Sequence, residues 1–474
     1  MTPEDSATPA DTDACRALVL FNYDWDQVEF AKLAGAYPHD CAGFDLFSFP
    51  SNAQLVRFDM DRFVDALARK AVKRGWQAVV SNHEQFGALA AALLAERMGW
   101  PGTPVNAVLA CQHKYYARQI LQQVCPEANC GFGLMPTRYG EPVPETLPGG
   151  MRYPTFVKPV KAAFSVLARS VKSRSDLHQH TRFGAWELWV IKHLVEPFER
   201  IAQQRMPQMG SSHRLLLEEP ITGNQYNIDG YVLNDEVRQI GLVDAVHYPG
   251  TQSFMRFDYP SQLDSTVQGR ALSVAKLFLS AIGFNHGLFN MEFFHDPLTD
   301  KITVIEFNPR LASQFSDLYA RVDGVNLHQY ALELGFGRDP ALLPRSAAVA
   351  GAASSFVYRS FTPGAAVSMP SASQRAALAR AFPDAQLFCF PKTPSQVKRD
   401  FKWLGSYRYG ILHLGAENAE ALKYSCERAS ALLGWPAPYQ LPQATVPTDA
   451  VPQHATAMPN LGASPSPLLW RTER

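Results

Sequence analysis

The stretch Ile302-Thr303-Val304-Ile305-Glu306-Phe307-Asn308-Pro309-Arg310 is a β-branched run that ends in three alternating polar residues. In an extended chain, side chains repeat every second position, so Glu306, Asn308 and Arg310 share one face. A carboxylate and an amide oxygen at a strand end can hold a divalent cation, and a guanidinium offers phosphate oxygens a planar fork. Pro309 lacks the amide hydrogen a ladder needs and marks the end of the strand. The same pattern also fits a solvated edge strand. Upstream, Asn290-Met291-Glu292-Phe293-Phe294 sets a second carboxylate inside an apolar strand, where a charge needs a partner. If Asp296 to Lys301 forms a hairpin loop, Glu292 and Glu306 face each other and repel unless cations lie between them. Magnesium held by one or two carboxylates plus a substrate phosphate meets that need. An Arg or Lys partner meets it as well.

Two further strand ends carry charge. Lys158 closes the apolar run Thr155-Phe156-Val157, and Lys161 and the small-residue loop Ala162-Ala163-Phe164-Ser165 follow. A strand-end lysine beside a tight loop can meet phosphate with charge and backbone amides, although lone lysines are usually solvated. Leu215-Leu216-Leu217-Glu218-Glu219-Pro220-Ile221-Thr222-Gly223 places a double acid at the end of an apolar strand. Such a turn could take a purine amino group on a carbonyl and a ribose on a carboxylate. Arg256, read as lying on a loop between a strand and a helix, is a candidate clamp for a substrate carboxylate. His247 and His286 lie near the same strands, but a lone histidine is more often a satisfied structural group than an acid or base. Cys125 and Cys130 are too isolated for zinc, which needs three or four ligands. Trp186 and Trp189 are read as packing residues of their helix.

These residues need elements to position them. The chain has 474 residues, 46% hydrophobic and 19% charged, enough for about three domains. Residues 1–14 are polar and acidic and are expected to be disordered. Over residues 15–110, short apolar strands (Ala17 to Phe21, Trp76 to Val80) alternate with helices (Met60 to Lys73, Phe86 to Met98), which predicts an α/β domain with a parallel sheet. No Gly-x-Gly-x-x-Gly follows its strands. Residues 111–344 form the next unit. From about residue 150, six strand candidates (Thr155–Lys158, Arg214–Glu218, Gln225–Leu233, Val237–Val246, Phe289–Phe294, Ile302–Phe307) and helices at 185–204 and 266–282 predict an antiparallel α+β region. Residues 345–435 read as a small mixed unit, with strands at 354–358, 386–390 and 409–413 and helices at 373–382 and 416–433. Residues 436–474 hold eight prolines and are expected to be a flexible tail.

Composition narrows the function. Lys plus Arg equals Asp plus Glu at 44 each, which leaves no global footprint for nucleic acid or for a cationic partner. The acidic start lacks the apolar core of a secretory signal, and no run approaches 18 apolar residues, so no membrane span is expected. Seven scattered cysteines fit a reduced, cytoplasmic protein better than a disulfide framework.

Taken in order, Lys114, Lys158, Glu218-Glu219-x-Ile221-x-Gly223, Glu292 and Glu306-x-Asn308-x-Arg310 resemble the motifs of the ATP-grasp superfamily of carboxylate-amine ligases. The resemblance spans about residues 15 to 435. It implies a pre-grasp α/β domain, a two-part nucleotide clamp, and a C-terminal module similar to that of biotin-carboxylase-like members. It implies ATP with magnesium or manganese as cofactors. Lys114, Lys158 and Ser165 would contact the phosphates, Glu218, Glu219 and Ile221 would form the adenine hinge, and Glu292, Glu306 and Asn308 would be metal ligands. Lys158 and Arg310 would act on the transferred phosphoryl group. Two positions depart from the pattern. Ala162-Ala163-Phe164-Ser165 replaces a glycine-rich loop, and Gln225 stands where an acid often binds ribose, a role Glu219 or Asp229 could take.

The implied reaction joins a small carboxylic acid, such as an amino acid or related metabolite, to an amine through an acyl phosphate. The partners would be small molecules, and a homodimer fits the class. The alternatives are a catalytically inactive nucleotide-binding regulatory protein of the same fold, and a carboxylase-type member that phosphorylates bicarbonate. No feature of the chain supports a biotin partner.

Overall fold

The computed structural model describes residues 15–44, 55, 57–162, 167–364 and 367–440. The expected disordered start, Ser165 with its loop neighbours 163–166, and residues 441–474 of the expected tail lie outside the described residues.

The N-terminal domain is a three-stranded parallel sheet in the order β2-β1-β3, formed by β1 (Arg16–Leu20), β2 (His39–Ala42) and β3 (Trp76–Val80). Ala17 to Leu20 are fully buried because both faces of the sheet are covered. The helix Met60–Arg74 starts where the Asp59 carboxylate accepts from the Arg62 amide, and it ends at Gly75 in the left-handed conformation (φ +68°). The expected helix after β3 is present as Gly87–Met98. Sequence patterning missed the helix Asp24–Leu33 and the strand β2. That helix buries Asp26 and Glu29 on its inner side, so no apolar stripe marks it.

A four-stranded antiparallel sheet follows, in the order β4-β7-β5-β6, from β4 (Phe132–Arg138), β5 (Thr155–Pro159), β6 (Arg169–Val171) and β7 (Arg214–Glu218). The remaining strands are β8 (Asn224–Leu233), β9 (Glu236–His247), β10 (Phe254–Tyr259), β11 (Gly287–Asp296), β12 (Lys301–Asn308), β13 (Ala352–Ser360), β14 (Gln386–Cys389) and β15 (Tyr407–Ala416). They form one sheet in the order β12-β11-β8-β9-β10-β13-β15-β14. It crosses residue 344 without a break, because β13 pairs with β10. The β8–β9 turn uses Asn234 and Asp235, both at positive φ, as a two-residue hairpin of this twist requires. The helix after β15 starts at Ala419 rather than 416, since Asn418 caps it through two amides.

One face of the long sheet carries Val243, Ala245, Phe257, Val357 and Ile411 and packs in a single core with Ala17, Val19, Ala78 and Val80 of the N-terminal sheet. The opposite face packs on the helix Ser265–Ala281, where Phe278 stacks on Phe307 at 3.9 Å, and on the C-terminal helices. The polar residues of the β11–β12 hairpin therefore sit at the seam between the N-terminal domain and the two sheets. All seven cysteines are free thiols, and no helix among the described residues is long and apolar enough to cross a membrane.

Candidate active site

β11 and β12 pair antiparallel with Glu292 opposite Glu306 and Asn290 opposite Asn308, and a bulge falls beside the two acids. Cross-strand partners share a face, so the carboxylates meet as the hairpin spacing predicts. Among the described residues Glu292 accepts only neutral donors, Gln225 Nε2 at 3.0 Å and Asn308 Nδ2 at 3.3 Å. Burial and then the facing Glu306 charge raise its carboxyl above the usual range. Glu306 instead meets Lys114 Nζ at 2.7 Å. Burial opposes its charge, yet Lys114 and Lys158 hold it well below the usual range. An acid short of positive charge, next to a second carboxylate and an amide oxygen, is a hard-oxygen donor set that fits magnesium or manganese. Among the described residues no group of three His, Cys, Asp or Glu side chains is placed to hold a metal. Two carboxylates suffice where a substrate phosphate supplies the remaining oxygens.

The cations come from the helix Lys114–Val124 and from β5. Lys114 also donates to Ala162 O at 3.0 Å, at the mouth of the small-residue loop. One turn on, Arg118 is fully buried; its Nε lies 2.6 Å from Glu218, and its other nitrogens donate to Val304 O (2.7 Å) and Ile305 O (3.2 Å). β12 is the edge strand of its sheet and Ile305 is the extra residue of its bulge, so two successive carbonyls can meet one guanidinium. Lys158 lies 2.9 Å from the other Glu218 oxygen and 3.3 Å from Ile305 O. Glu218 thus clamps Arg118 and Lys158 against β12 and joins the two sheets. Burial opposes its charge, but Arg118 and Lys158 keep its carboxyl below the usual range.

Arg310 reaches across to the N-terminal domain. Its Nε lies 3.1 Å from Glu84 Oε2, and a terminal nitrogen lies 3.3 Å from Asn308 Oδ1. Glu84 follows β3 in Ser81-Asn82-His83-Glu84-Gln85, a polar turn at the carboxyl end of a parallel strand, where open α/β sheets place ligand contacts. Its backbone carbonyl accepts from Lys161 Nζ at 3.2 Å, and burial pushes that amine down to about 8. The Glu84 amide donates to the Tyr23 hydroxyl at 3.4 Å.

Lys114, Lys158, Glu218, Glu292, Glu306, Asn308 and Arg310 are thus brought together. Ser165 lies outside the described residues. Glu219 turns away: its carboxylate accepts from the Gly131 amide at 3.1 Å on the wall of a cleft of about 930 Å³ that Pro220 also lines. Ile221 is half-buried in the turn that follows. Asp229 is fully buried and takes Tyr319 OH at 2.8 Å and Asn290 Nδ2 at 3.1 Å, so neither oxygen is open to a ribose. Arg256 requires a correction. It lies on β10 rather than on a loop, opposite Val246 and Phe356, on the sheet face turned away from Glu292. There it pairs with Asp258 at 2.7 Å, which places it outside the cluster. The alternation Met255-Arg256-Phe257-Asp258-Tyr259 is that of a half-buried strand, which the loop reading passed over; Arg256 and Asp258 lie on its partly exposed face. His247 stacks on Phe254 at 4.8 Å, and Trp186 stacks on Trp189 at 4.9 Å with more than half of Trp186 exposed.

Sequence reading missed Arg118, Glu84, Lys161 as a partner of Glu84, and Gln225 as a donor to Glu292. Arg118 stands four residues after Lys114, on the same side of a helix. Glu84 was marked by the polar run after an apolar strand.

Comparisons with known proteins fit this geometry. Residues 151–317 match the family model of an ATP-grasp domain. Carnosine synthase 1 of Gallus gallus is 27% identical over 265 residues, which are 54% of this chain and 27% of that protein. The chain therefore spans about a quarter of that relative's length. Among solved structures, L-amino acid ligase from Bacillus licheniformis superposes with a TM-score of 0.62 at 15% identity, covering 88% of this chain and 98% of that one. N5-carboxyaminoimidazole ribonucleotide synthetase from Thermus thermophilus gives 0.57 at 16% identity, covering 88% and 98%. These structural likenesses carry the fold.

Proposed function

Residues 151–317 being an ATP-grasp domain in a chain of ATP-grasp fold, we propose that the protein is an ATP-dependent, ADP-forming ligase that joins a small carboxylic acid to an amine through an acyl phosphate. The observation that carries the reading is the opposition of Glu292 and Glu306, ringed by Lys114, Lys158 and Arg310. A structural core has no physical use for two facing carboxylates, whereas phosphoryl transfer needs that charge pattern.

A carboxylate is a poor electrophile and its oxygen a poor leaving group. In the proposed reaction, a substrate carboxylate oxygen bonds to the γ-phosphorus of ATP while the bond to the bridging oxygen breaks and ADP departs. The amine nitrogen then attacks the acyl carbon, loses a proton, and phosphate leaves as the amide forms. Glu292, Glu306 and Asn308 would hold magnesium, which supplies charge neutralisation at the phosphate oxygens. Lys114 and Lys158 would bind the phosphates. Lys158 is set against β12 by Glu218, so it enters the site at a fixed position. Arg310, oriented by Glu84, would meet the equatorial oxygens of the phosphoryl group in flight.

The test is magnesium-dependent release of ADP and phosphate, screened over amino acids and other small acids with hydroxylamine present to trap the acyl phosphate. A hydroxamate formed with one acid class is the expected result. Tight ATP binding with no acid-stimulated turnover across a broad panel would refute the ligase reading in favour of a nucleotide-binding regulator.

A further inference from the structure

Arg359 and Arg408 face each other across the β13–β15 ladder, next to a bulge at Tyr358 and Arg359. Like charges in direct register destabilise a sheet. Both lie on the face that carries Val357 and Ile411, the face that also bears Glu292, and Arg408 reaches Trp25 of the N-terminal domain. Among the described residues neither forms an ion pair with a carboxylate. Arg359 donates to Ser406 Oγ at 3.1 Å, and its buried Nε has no hydrogen-bond partner among the described residues. Arg408 stacks over Phe390, 4.3 Å from the ring centre, and stands 5.9 Å from Trp25. Stacking holds a guanidinium by its face and leaves its N–H edge open to a planar anion. Two acids act on the pair from beyond ion-pair distance: Asp24 on Arg408, and Asp400 on both arginines, Asp400 being already held by Lys392 at 2.6 Å and Arg399 at 3.1 Å. Burial and then Arg359 push Arg408 down to about 10, the response of a cation short of counter-charge.

The pair is connected to the transfer site through aromatic rings. Trp25 packs on Tyr23 at 5.1 Å, the Tyr23 hydroxyl meets the Glu84 amide, and Glu84 holds Arg310. A substrate group at Arg359 and Arg408 would lie on the same wall as the phosphoryl-transfer groups, with the first strand-to-helix turn of the N-terminal domain between them.

We propose that Arg359 and Arg408 form a carboxylate subsite that anchors the free carboxylate of the amine substrate, so that the acceptor is itself an amino acid. This rests on the ligase reading above. The acid substrate's reacting carboxylate is consumed in the acyl phosphate, whereas an amino-acid acceptor keeps its own carboxylate through the reaction. Two forked cations meeting one planar anion give both charge balance and orientation of the nucleophilic nitrogen.

The experiment uses the full chain and the best acceptor from a panel of the twenty protein amino acids, paired with its carboxamide. In the wild type the free amino acid is expected to have the lower KM. Arg359→Gln and Arg408→Gln are expected to raise that KM about 10- to 100-fold, the range for losing a charged hydrogen bond. The carboxamide's KM is expected to hold, and Arg408→Lys to recover part of the loss. Equal losses for the amino acid and carboxamide would mark a structural role and overturn the proposal. A raised KM for the acid substrate in the hydroxylamine assay, with the acceptor's KM unchanged, would overturn it by moving the carboxylate to the other substrate. Hydroxamate formation together with turnover on amines that carry no carboxylate, and on none of the twenty amino acids, would overturn the subsite while leaving the ligase reading standing; no hydroxamate at all would remove the reading beneath it.

Discussion

Glu306→Gln separates chemistry from folding at the centre of the site. The substitution keeps size and hydrogen bonding but deletes the charge that faces Glu292 and meets Lys114 at 2.7 Å. The Glu306 side chain is 22% exposed and that of Lys114 is 13%, so solvent screens the pair little. Breaking a buried pair costs about 3–5 kcal/mol, and a surface pair is worth at most about 1 kcal/mol. Here the cost is offset, since the same change removes the charge that raises Glu292. Lys114 also keeps Ala162 O at 3.0 Å. We expect a net stability change within about 2 kcal/mol at neutral pH. Turnover should fall at least about 10²- to 10³-fold, the loss for one preorganised electrostatic contact. The acid limb gives a second readout. Because the folded carboxyl of Glu306 lies below its unfolded value, its stabilisation is complete above the unfolded carboxylate range and is lost as pH falls below that range. The variant should lack that part of the loss. The assays are acid-dependent ADP release at saturating ATP and magnesium, and urea unfolding from about pH 3 to 8, which spans the carboxylate range. Wild-type turnover in Glu306→Gln would refute the assignment of the carboxylate pair.

Two further outcomes follow from the buried charges. Arg118→Met should cost at least about 3–5 kcal/mol in urea unfolding, because it strands Glu218 and the edge carbonyls of Val304 and Ile305; a change below about 1 kcal/mol would deny Arg118 its role as the joint between sheets. Burial pushes His83 down to about 3, below its unfolded value, so the folded state holds it neutral and stability should fall as pH drops from about 6.5, by up to about 1.4 kcal/mol per unit. His83→Asn should flatten that slope, and parallel slopes in both proteins would refute it.

What could be read from the sequence depended on whether neighbours in the chain were also neighbours in space. β11 and β12 were legible with their register, since a short loop and alternating residues fix a hairpin locally. The helix Met60–Arg74 was legible because its cap and its left-handed glycine are written into adjacent residues. The helix Asp24–Leu33 was not, because its buried acids find partners far away, Asp26 on His328 at 2.7 Å and Glu29 on Gln386 at 2.9 Å. Arg256 failed for a related reason: strand parity decides which face a residue serves, and a loop assignment erased that parity. Glu84 is separated from Arg310 by 226 residues, and no local spacing could join them.

The same separation explains how a chain with equal numbers of acidic and basic residues can bind a polyanion. Lys114, Lys158, Lys161, Arg118 and Arg310 meet Glu84, Glu218, Glu292 and Glu306 at the seam, five cations against four carboxylates. The distribution is uneven. Among the described residues Glu218 answers two cations and Glu84 answers two, whereas Glu292 has only amide donors. The site therefore holds unspent positive charge toward the lysines and Arg310, and unspent negative charge at one carboxylate. A bare anion would satisfy the first and repel Glu292, and a bare divalent cation would satisfy Glu292 and repel the lysines. A phosphate chain carrying its own divalent ion satisfies both at once. That complementarity belongs to the placement of charges rather than to their number, so net charge could neither announce this site nor exclude it.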